Sequence, residues 1–369
     1  MELRFQGVRQ HCEDAVQGGV VPGLVLLVGA AGKTVFHEAF GFRQLHPARL
    51  RALPDTVYDL ASLTKAVVTS VVTMQLVERG TLGLEDRIGD RLAEFRGAGK
   101  DIVTVRHLLA HASGLPAHRP FWKAARDAPS ERWAISLLAA HEPLAYQPGS
   151  RSLYSDLGFI VLGWVLERAA GLRLDVQADR GIVAPLGLAS TTFVNLADSE
   201  ARARLLANRT VAATQLCPER KRVILGEVDD LNAYAMGGIA AHAGLFSTAI
   251  DLGAIAAALC AAWKGAAGTN LVSRDVIRQF WNPAGFPEST WRLGWDGPSR
   301  EGSQAGQRLS RDAVGHLAFT GCSLWIDPQR ELWIVLLSNR VHPQIPDDDR
   351  FRQFRPALHD AVVDAIGSA

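Results

Sequence analysis

From Ala66 to Val77 the chain is apolar nearly all the way round a helical wheel, with Val67, Val68, Val71, Val72, Met74, Leu76 and Val77 spread over every face. A helix with no polar face has to be buried in a large core, so the remainder of the chain must wrap it. At 369 residues, 48% of them hydrophobic, the sequence has the length for two lobes and the apolar content to fill them. The longest apolar runs, 67–77 and 250–263, fall short of the ~20 residues that crossing a bilayer needs.

Immediately before this helix stand Ser62 and Lys65. A spacing of three places both side chains on one helix face, within reach of each other. The first N–H groups of a helix lack intrahelical partners, and the positive end of the helix favours negative charge developing nearby. A serine becomes a nucleophile when a base takes its proton, and a lysine serves if burial keeps it neutral part of the time. Arginine cannot, and the chain carries 33 Arg against 6 Lys, so a lysine here is a pointed choice. Lys65 is also the only lysine preceded by a serine at this distance.

Residues 5–18 read as an amphipathic helix closed by Gly18-Gly19, and 23–29 with 34–42 read as a β-hairpin around Ala31-Gly32-Lys33. Thr104 caps a short helix ending near His111. Helical patterns follow at 130–141, 156–170, 175–184, 248–263 and 273–281, with few strand signals among them. Strand-like runs return at 291–295, 313–320, 322–326 and 332–338, and 354–366 closes with a helix. The polar stretches 43–56, 196–222 and 296–312 read as surface loops, the last of them mobile. The expected fold is therefore α/β (α+β): one antiparallel sheet made by both chain ends with helices against it, and an inserted helical lobe. The expected division is 1–61 with 285–369 for the sheet domain and 62–284 for the helical one, with a site in the cleft between them.

Two further stretches suit such a site. In Tyr154-Ser155-Asp156 a phenol can relay a proton, while Asp156 can cap the following helix, starting near Leu157, or pair with Lys65. The strand-turn-strand 315–328 would offer backbone N–H groups to an oxyanion, with His316 adding a polar or cationic contact. Ser62-Leu63-Thr64-Lys65, Tyr154-Ser155-Asp156 and His316-Leu317-Ala318, in this order, resemble the three motifs of the serine β-lactamase and penicillin-binding-protein superfamily. The match is closest to its class C-like branch, which also holds esterases, D-peptidases and DD-carboxypeptidases. The segments 104–116, 237–248 and 323–339 are similar too.

The resemblance implies a β-lactamase/transpeptidase-like fold and a cofactor-free serine hydrolase. Ser62 would be acylated, Lys65 and Tyr154 would share the proton traffic, and the N–H groups of Ser62 and Phe319 would form the oxyanion hole. Two departures stand out. Asp156 replaces the usual Asn, adding a charge that holds Lys65 protonated. Leu317-Ala318 replaces Thr-Gly, losing a hydroxyl donor for a substrate carboxylate and adding a Cβ where backbone approaches substrate. Both weaken β-lactam hydrolysis more than ester hydrolysis. Phe319-Thr320-Gly321 is a competing register for the third motif.

Other chemistry is disfavoured. A net charge of +1 with interspersed signs suits neither nucleic acid nor an anionic membrane surface. Cys12, Cys217, Cys260 and Cys322 are scattered, against a disulfide framework or structural zinc. His107 and His111 have no third ligand nearby and read as packing histidines. Gly321-Cys322-Ser323 is half of a nucleophile elbow. The aromatics at 121, 122, 133, 281, 291 and 295 read first as core, with some as pocket walls. No secretory signal is read at the N-terminus, so the expectation is a cytoplasmic enzyme for a small ester, amide or peptide substrate. Its rival is a turnover-impaired relative that binds cell-wall fragments.

Overall fold

The computed structural model describes residues 3–128, 130–266, 271–345 and 347–367. Eleven strands run through it: β1 (Gly23–Ala30), β2 (Lys33–Gln44), β3 (Leu50–Arg51), β4 (Tyr58–Asp59), β5 (Thr192–Phe193), β6 (Ala213–Cys217), β7 (Arg222–Leu225), β8 (Leu245–Ser247), β9 (Val314–Leu317), β10 (Ser323–Asp327) and β11 (Leu332–Ser338). Six of them make the main antiparallel sheet, in the order β3-β2-β1-β11-β10-β9. The register Leu24↔Ser338 to Ala30↔Leu332 joins the two chain ends. The β1–β2 hairpin turns on Ala31 and Gly32, both at positive φ, which matches the right-handed twist of the strands.

β1 is buried on both faces, so alternate residues serve different cores. Leu24, Leu26 and Val28 meet the helices Gln6–Gln17 and Arg350–Gly367. Val25 and Leu27 point the other way, into the large core shared with the helix Ala249–Lys264. That helix falls within the stretch expected for the helical lobe, yet it packs across β1 and β11. The apolar helix after Ser62 is buried from Lys65 to Leu76, as its pattern requires: Val67 and Val71 are 0% exposed. It is wound as π-helix over Lys65–Ser70 and as α-helix over Val71–Glu78. The helix Asp156–Ala170 packs beside it, and the helix Glu131–His141 packs on that one.

The departures from the sequence reading lie in short elements. Residues 291–295 form no strand; Gly294, at φ 81°, gives its N–H to Leu109 O, and Ser70 Oγ donates to Leu293 O, so the segment is a loop plugged into the core. The expected surface loop 196–222 contains the helix Ala201–Asn208 and β6, and 43–56 contains the end of β2 and β3. β4, β8 and β5 make a second small sheet, β6 and β7 a third. Strands of two or three residues hold too little alternation to be read from sequence. In 296–312, Ser303 and Ala305 are buried, and the Gln307 and Arg308 N–H groups are held by Asp360 Oδ1.

β9 is the sheet edge that matters for the site, and Gly315 sets how closely it lies. A Cβ there would come within 2.3 Å of the Trp325 ring and 2.5 Å of Leu324 O. Gly315→Ala should therefore push β9 outward and cost ~1–3 kcal/mol of unfolding free energy, as overpacking does. Urea denaturation measures this, and a loss below ~0.5 kcal/mol would mean that Trp325 moves aside freely.

Candidate active site

The segment before the buried helix is shaped by a turn. Asp59 Oδ1 accepts the Ala61 N–H at 2.8 Å, and Ala61 sits at φ 43°, in the left-handed region. β4 pairs with β8 through Asp59↔Phe246, and Leu60 N–H adds a bond to Leu245 O. Ser62, partly exposed, emerges from this turn, and Lys65 follows one helical turn later with its N–H bonded to Ser62 O.

Lys65 is fully buried and its three N–H groups find three acceptors. These are Ser62 Oγ at 3.1 Å, His242 O at 2.8 Å and Asp156 Oδ1 at 2.8 Å. Burial works to lower the pKa of this amine, but the Asp156 carboxylate and the Tyr154 oxygen outweigh it, and the net shift is upward. The expectation that burial keeps Lys65 partly neutral is thus reversed: it is a saturated ammonium ion. Asp156 is correspondingly driven far below the ordinary carboxylate range; burial opposes this, while Lys65 and His118 favour the anion. His118 Nδ1 lies 3.5 Å from Asp156 Oδ2.

Tyr154 donates its O–H to Ser62 Oγ at 2.7 Å, closing a triangle of Ser62, Lys65 and Tyr154. Burial raises the pKa of the phenol more than Lys65 lowers it, so it is protonated at neutral pH. Tyr154 is held by the residues around it. Leu153 N–H bonds His111 O, Ser155 N–H bonds His111 Nδ1, and the His111 ring packs 4.7 Å from Tyr154 and 4.3 Å from Trp291. His111 is therefore a packing histidine, as its sequence context suggests. Ser155 rather than Asp156 caps the helix Asp156–Ala170, taking the Gly158 N–H, which leaves Asp156 in the first turn free to face Lys65. His107 closes a capping box with Thr104. Among the described residues no group of His, Cys, Asp or Glu is arranged to hold a metal.

β9 brings the third stretch alongside. Ser62, Tyr154, Asp156, His316, Leu317, Ala318 and Phe319 all line one cavity of about 630 Å³. His316 Nδ1 must donate to Leu317 O at 2.8 Å, since a carbonyl only accepts. Burial first, and then the Lys65 charge, lowers its pKa to about 3. The ring is neutral, so Nε2 is a bare lone pair with no partner, and of the polar or cationic contact expected of His316 it is the polar one that fits. Thr320 serves the framework instead, since its hydroxyl donates to Asp59 O and ties the β9–β10 turn to the turn before Ser62. That removes the competing register, because Thr320 is buried away from the cavity. The N–H groups of Ser62 and Phe319 find no acceptor among the described residues.

Residues that the motifs did not single out complete the walls: His118, Asp229, Asp230, His242, Trp291 and Asp296. The 237–248 segment contained a signal for one of them, since it carries His242, whose carbonyl holds Lys65. Asp230 caps the helix Leu231–Ala235 and accepts His242 Nε2–H at 2.9 Å. Trp291 and Trp122 come from the aromatics of which some are expected as pocket walls, but nothing in the sequence placed His118, Asp229, Asp230 or Asp296 next to Ser62.

Comparison with known proteins agrees with this architecture. The family model described as beta-lactamase matches residues 8–357. A Bacillus subtilis protein named N-acetylmuramyl-L-alanine amidase is 30% identical, over 99% of this chain and 89% of its own. An Escherichia coli K12 protein named "Putative D-alanyl-D-alanine carboxypeptidase" is 29% identical, over 94% of this chain and 86% of its own. The solved structure of EstCE1, described as a hydrolase with promiscuous acyltransferase activity, superposes with a TM-score of 0.73 at 22% identity, over 98% of each chain. The chain belongs to the β-lactamase family, and its fold is the β-lactamase and penicillin-binding-protein fold. No helix among the described residues is long and apolar enough to cross a membrane.

The buried pair sets one expectation. Asp156→Ala leaves a buried ammonium short of an acceptor and should cost ~3–5 kcal/mol of unfolding free energy, the range for breaking a buried pair. Asp156→Asn keeps an oxygen for Lys65 and should cost less; chemical denaturation ranks the two. A second expectation concerns pH. Burial, and then the Asp229 charge, raises the Asp59 pKa to about 7. The native state thus holds a proton that the unfolded chain, titrating near ~4, has already lost. Stability from this group is full below the unfolded value and disappears as pH climbs to about 7. Unfolding free energy should fall between about pH 5 and pH 8 more steeply in the native protein than in Asp59→Asn, and equal slopes would refute the assignment.

Proposed function

We propose that this chain is a serine hydrolase that forms an acyl-enzyme at Ser62 on small esters or amides. One observation carries the reading: Ser62 Oγ lies 3.1 Å from Lys65 Nζ and 2.7 Å from the Tyr154 oxygen, at the floor of a cavity large enough for a substrate. Because Lys65 is a saturated ammonium, the proton passes through Tyr154. As Ser62 Oγ bonds to the carbonyl carbon, the Tyr154 O–H turns from Ser62 Oγ toward the departing oxygen or nitrogen and gives it its proton, while the Ser62 proton passes to the Tyr154 oxygen. Both residues keep their charge through this exchange. Lys65 supplies fixed positive charge, and the N–H groups of Ser62 and Phe319 receive the oxyanion. Water then attacks the acyl carbon, its proton returning through Tyr154 to Ser62 Oγ as the acid leaves. The names of the relatives support acyl chemistry at a carbonyl, since an amidase, a carboxypeptidase and an acyl-transferring hydrolase all share it. All four cysteines are free and buried, which suits the reducing cytoplasm we assign to the protein.

The pinned Lys65 and the missing hydroxyl at Ala318 favour a second reading, in which the fold binds a cell-wall fragment without turning it over. One set of measurements separates the two. A fluorophosphonate should add once to the intact protein and not to Ser62→Ala, and p-nitrophenyl esters should be hydrolysed. Muropeptide binding with no adduct and no hydrolysis would favour the second. Tyr154→Phe should lower kcat by ~10²–10⁴, with a stability loss of ~1 kcal/mol for the hydrogen bond. Comparable losses in both would make Tyr154 a packing residue.

A further inference from the structure

The cavity at Ser62 is unlike one that grips a carboxylate, and this inference rests on the hydrolase reading above. Among the described residues no Arg or Lys side chain lines it. Lys65, just beneath, has no N–H left to offer. The carboxylates that line it fall into two kinds. Asp156 is matched by Lys65 and His118, and both Asp229 oxygens are taken by Thr214 and Gln215. Asp230 and Asp296 are different. Asp230 Oδ1 accepts from Ala233 N–H and His242 Nε2–H, and Asp296 Oδ1 from Thr290 Oγ1 and Gly297 N–H. Neither Oδ2 has a partner among the described residues. Arg292, which acts on Asp296 through its charge, directs its N–H to Arg311 O.

A second, independent feature points the same way. His316, 2% exposed and on the cavity wall, holds a bare Nε2 lone pair. Trp291 and Phe319 add aromatic surface, whose faces attract cations. The negative potential of that lone pair, the free carboxylate oxygens and the aromatic faces together complement a positively charged group, whereas a carboxylate in the same place would meet like charge. We infer that the substrate is an ester or amide carrying an ammonium group close to the reacting carbonyl, and that carboxylate-bearing substrates such as peptides ending in D-alanyl-D-alanine are excluded. The selectivity then resides in Asp230 and Asp296.

Two matched series test this on either side of the scissile bond. On the acyl side, alanine p-nitroanilide is compared with its N-acetyl and N-succinyl derivatives. On the leaving-group side, acetylthiocholine is compared with butyl thioacetate and S-acetylthioglycolate. In at least one series kcat/KM should fall by tenfold or more from ammonium to neutral, and again from neutral to carboxylate. Asp230→Asn and Asp296→Asn should each narrow the ammonium-to-neutral ratio severalfold. That ratio is taken within one variant, so a general loss of folded protein cancels. No cationic preference in either series, or a ratio untouched by both substitutions, overturns the inference while leaving the hydrolase standing. Failure of the hydrolase looks different: no substrate is turned over, Ser62 takes no adduct, and this inference falls with it.

Discussion

The site rests on one buried ion pair, Lys65 Nζ to Asp156 Oδ1 at 2.8 Å. Lys65 belongs to the apolar helix at the centre of the molecule, and Asp156 to the first turn of the helix beside it. Burying an ammonium costs several kcal/mol unless every N–H finds an acceptor, and here the acceptors come from three separate parts of the chain. Ser62 Oγ, His242 O and Asp156 can satisfy Lys65 together only when those parts are in their final places. The pair therefore works as an assembly constraint as much as a source of charge. It also decides how a proton can move: an amine with all three N–H groups engaged and its pKa raised is a poor acceptor, which turns attention to the phenol 2.7 Å from Ser62.

Much of this was legible in the sequence, for reasons that differ between elements. The long helices announce themselves because their burial patterns persist over several turns, as in Asp156–Ala170, whose first residue and last follow the expected range. The terminal strands do so because β1 and β11 are continuous apolar runs bounded by turn residues. Short strands such as β4 and β8 carry no such period, and they matter here, since their pairing sets the turn that presents Ser62. Residues 291–295 show the opposite error. Two tryptophans and a leucine around a glycine look like a strand, but Gly294 turns the chain, Leu293 and Trp295 plug into the core, and Trp291 is left on the cavity wall.

The electrostatics of the site were less legible, because they depend on partners remote in sequence. Nothing near Lys65 tells that His242 O will accept from it, and nothing near His316 tells that its Nδ1 will be occupied by the neighbouring Leu317 carbonyl. That local bond, with burial, changes the role open to His316. Of the two roles expected of this histidine, polar or cationic, the neutral ring keeps the polar one.

The Ala318 position shows why a missing hydroxyl cannot be judged from the motif alone. Two residues on, Thr320 does carry one, but it donates to Asp59 O, on the strand that leads into the Ser62 turn. Asp59 in turn takes the Ala61 N–H with one carboxylate oxygen and the Asp229 N–H with the other. The turn bearing Phe319 and the turn bearing Ser62 are thus held to each other through a single residue. Moving that hydroxyl to position 318 would give the cavity a donor, yet removing it from 320 would loosen the alignment of the two backbone N–H groups on which an oxyanion depends. Holding them in place takes precedence, because fixed donors help only if they are already aimed when charge develops. Beyond those two N–H groups, the side chains of Asp230, Asp296, His316, Trp291 and Phe319 line the cavity with acceptors and aromatic faces.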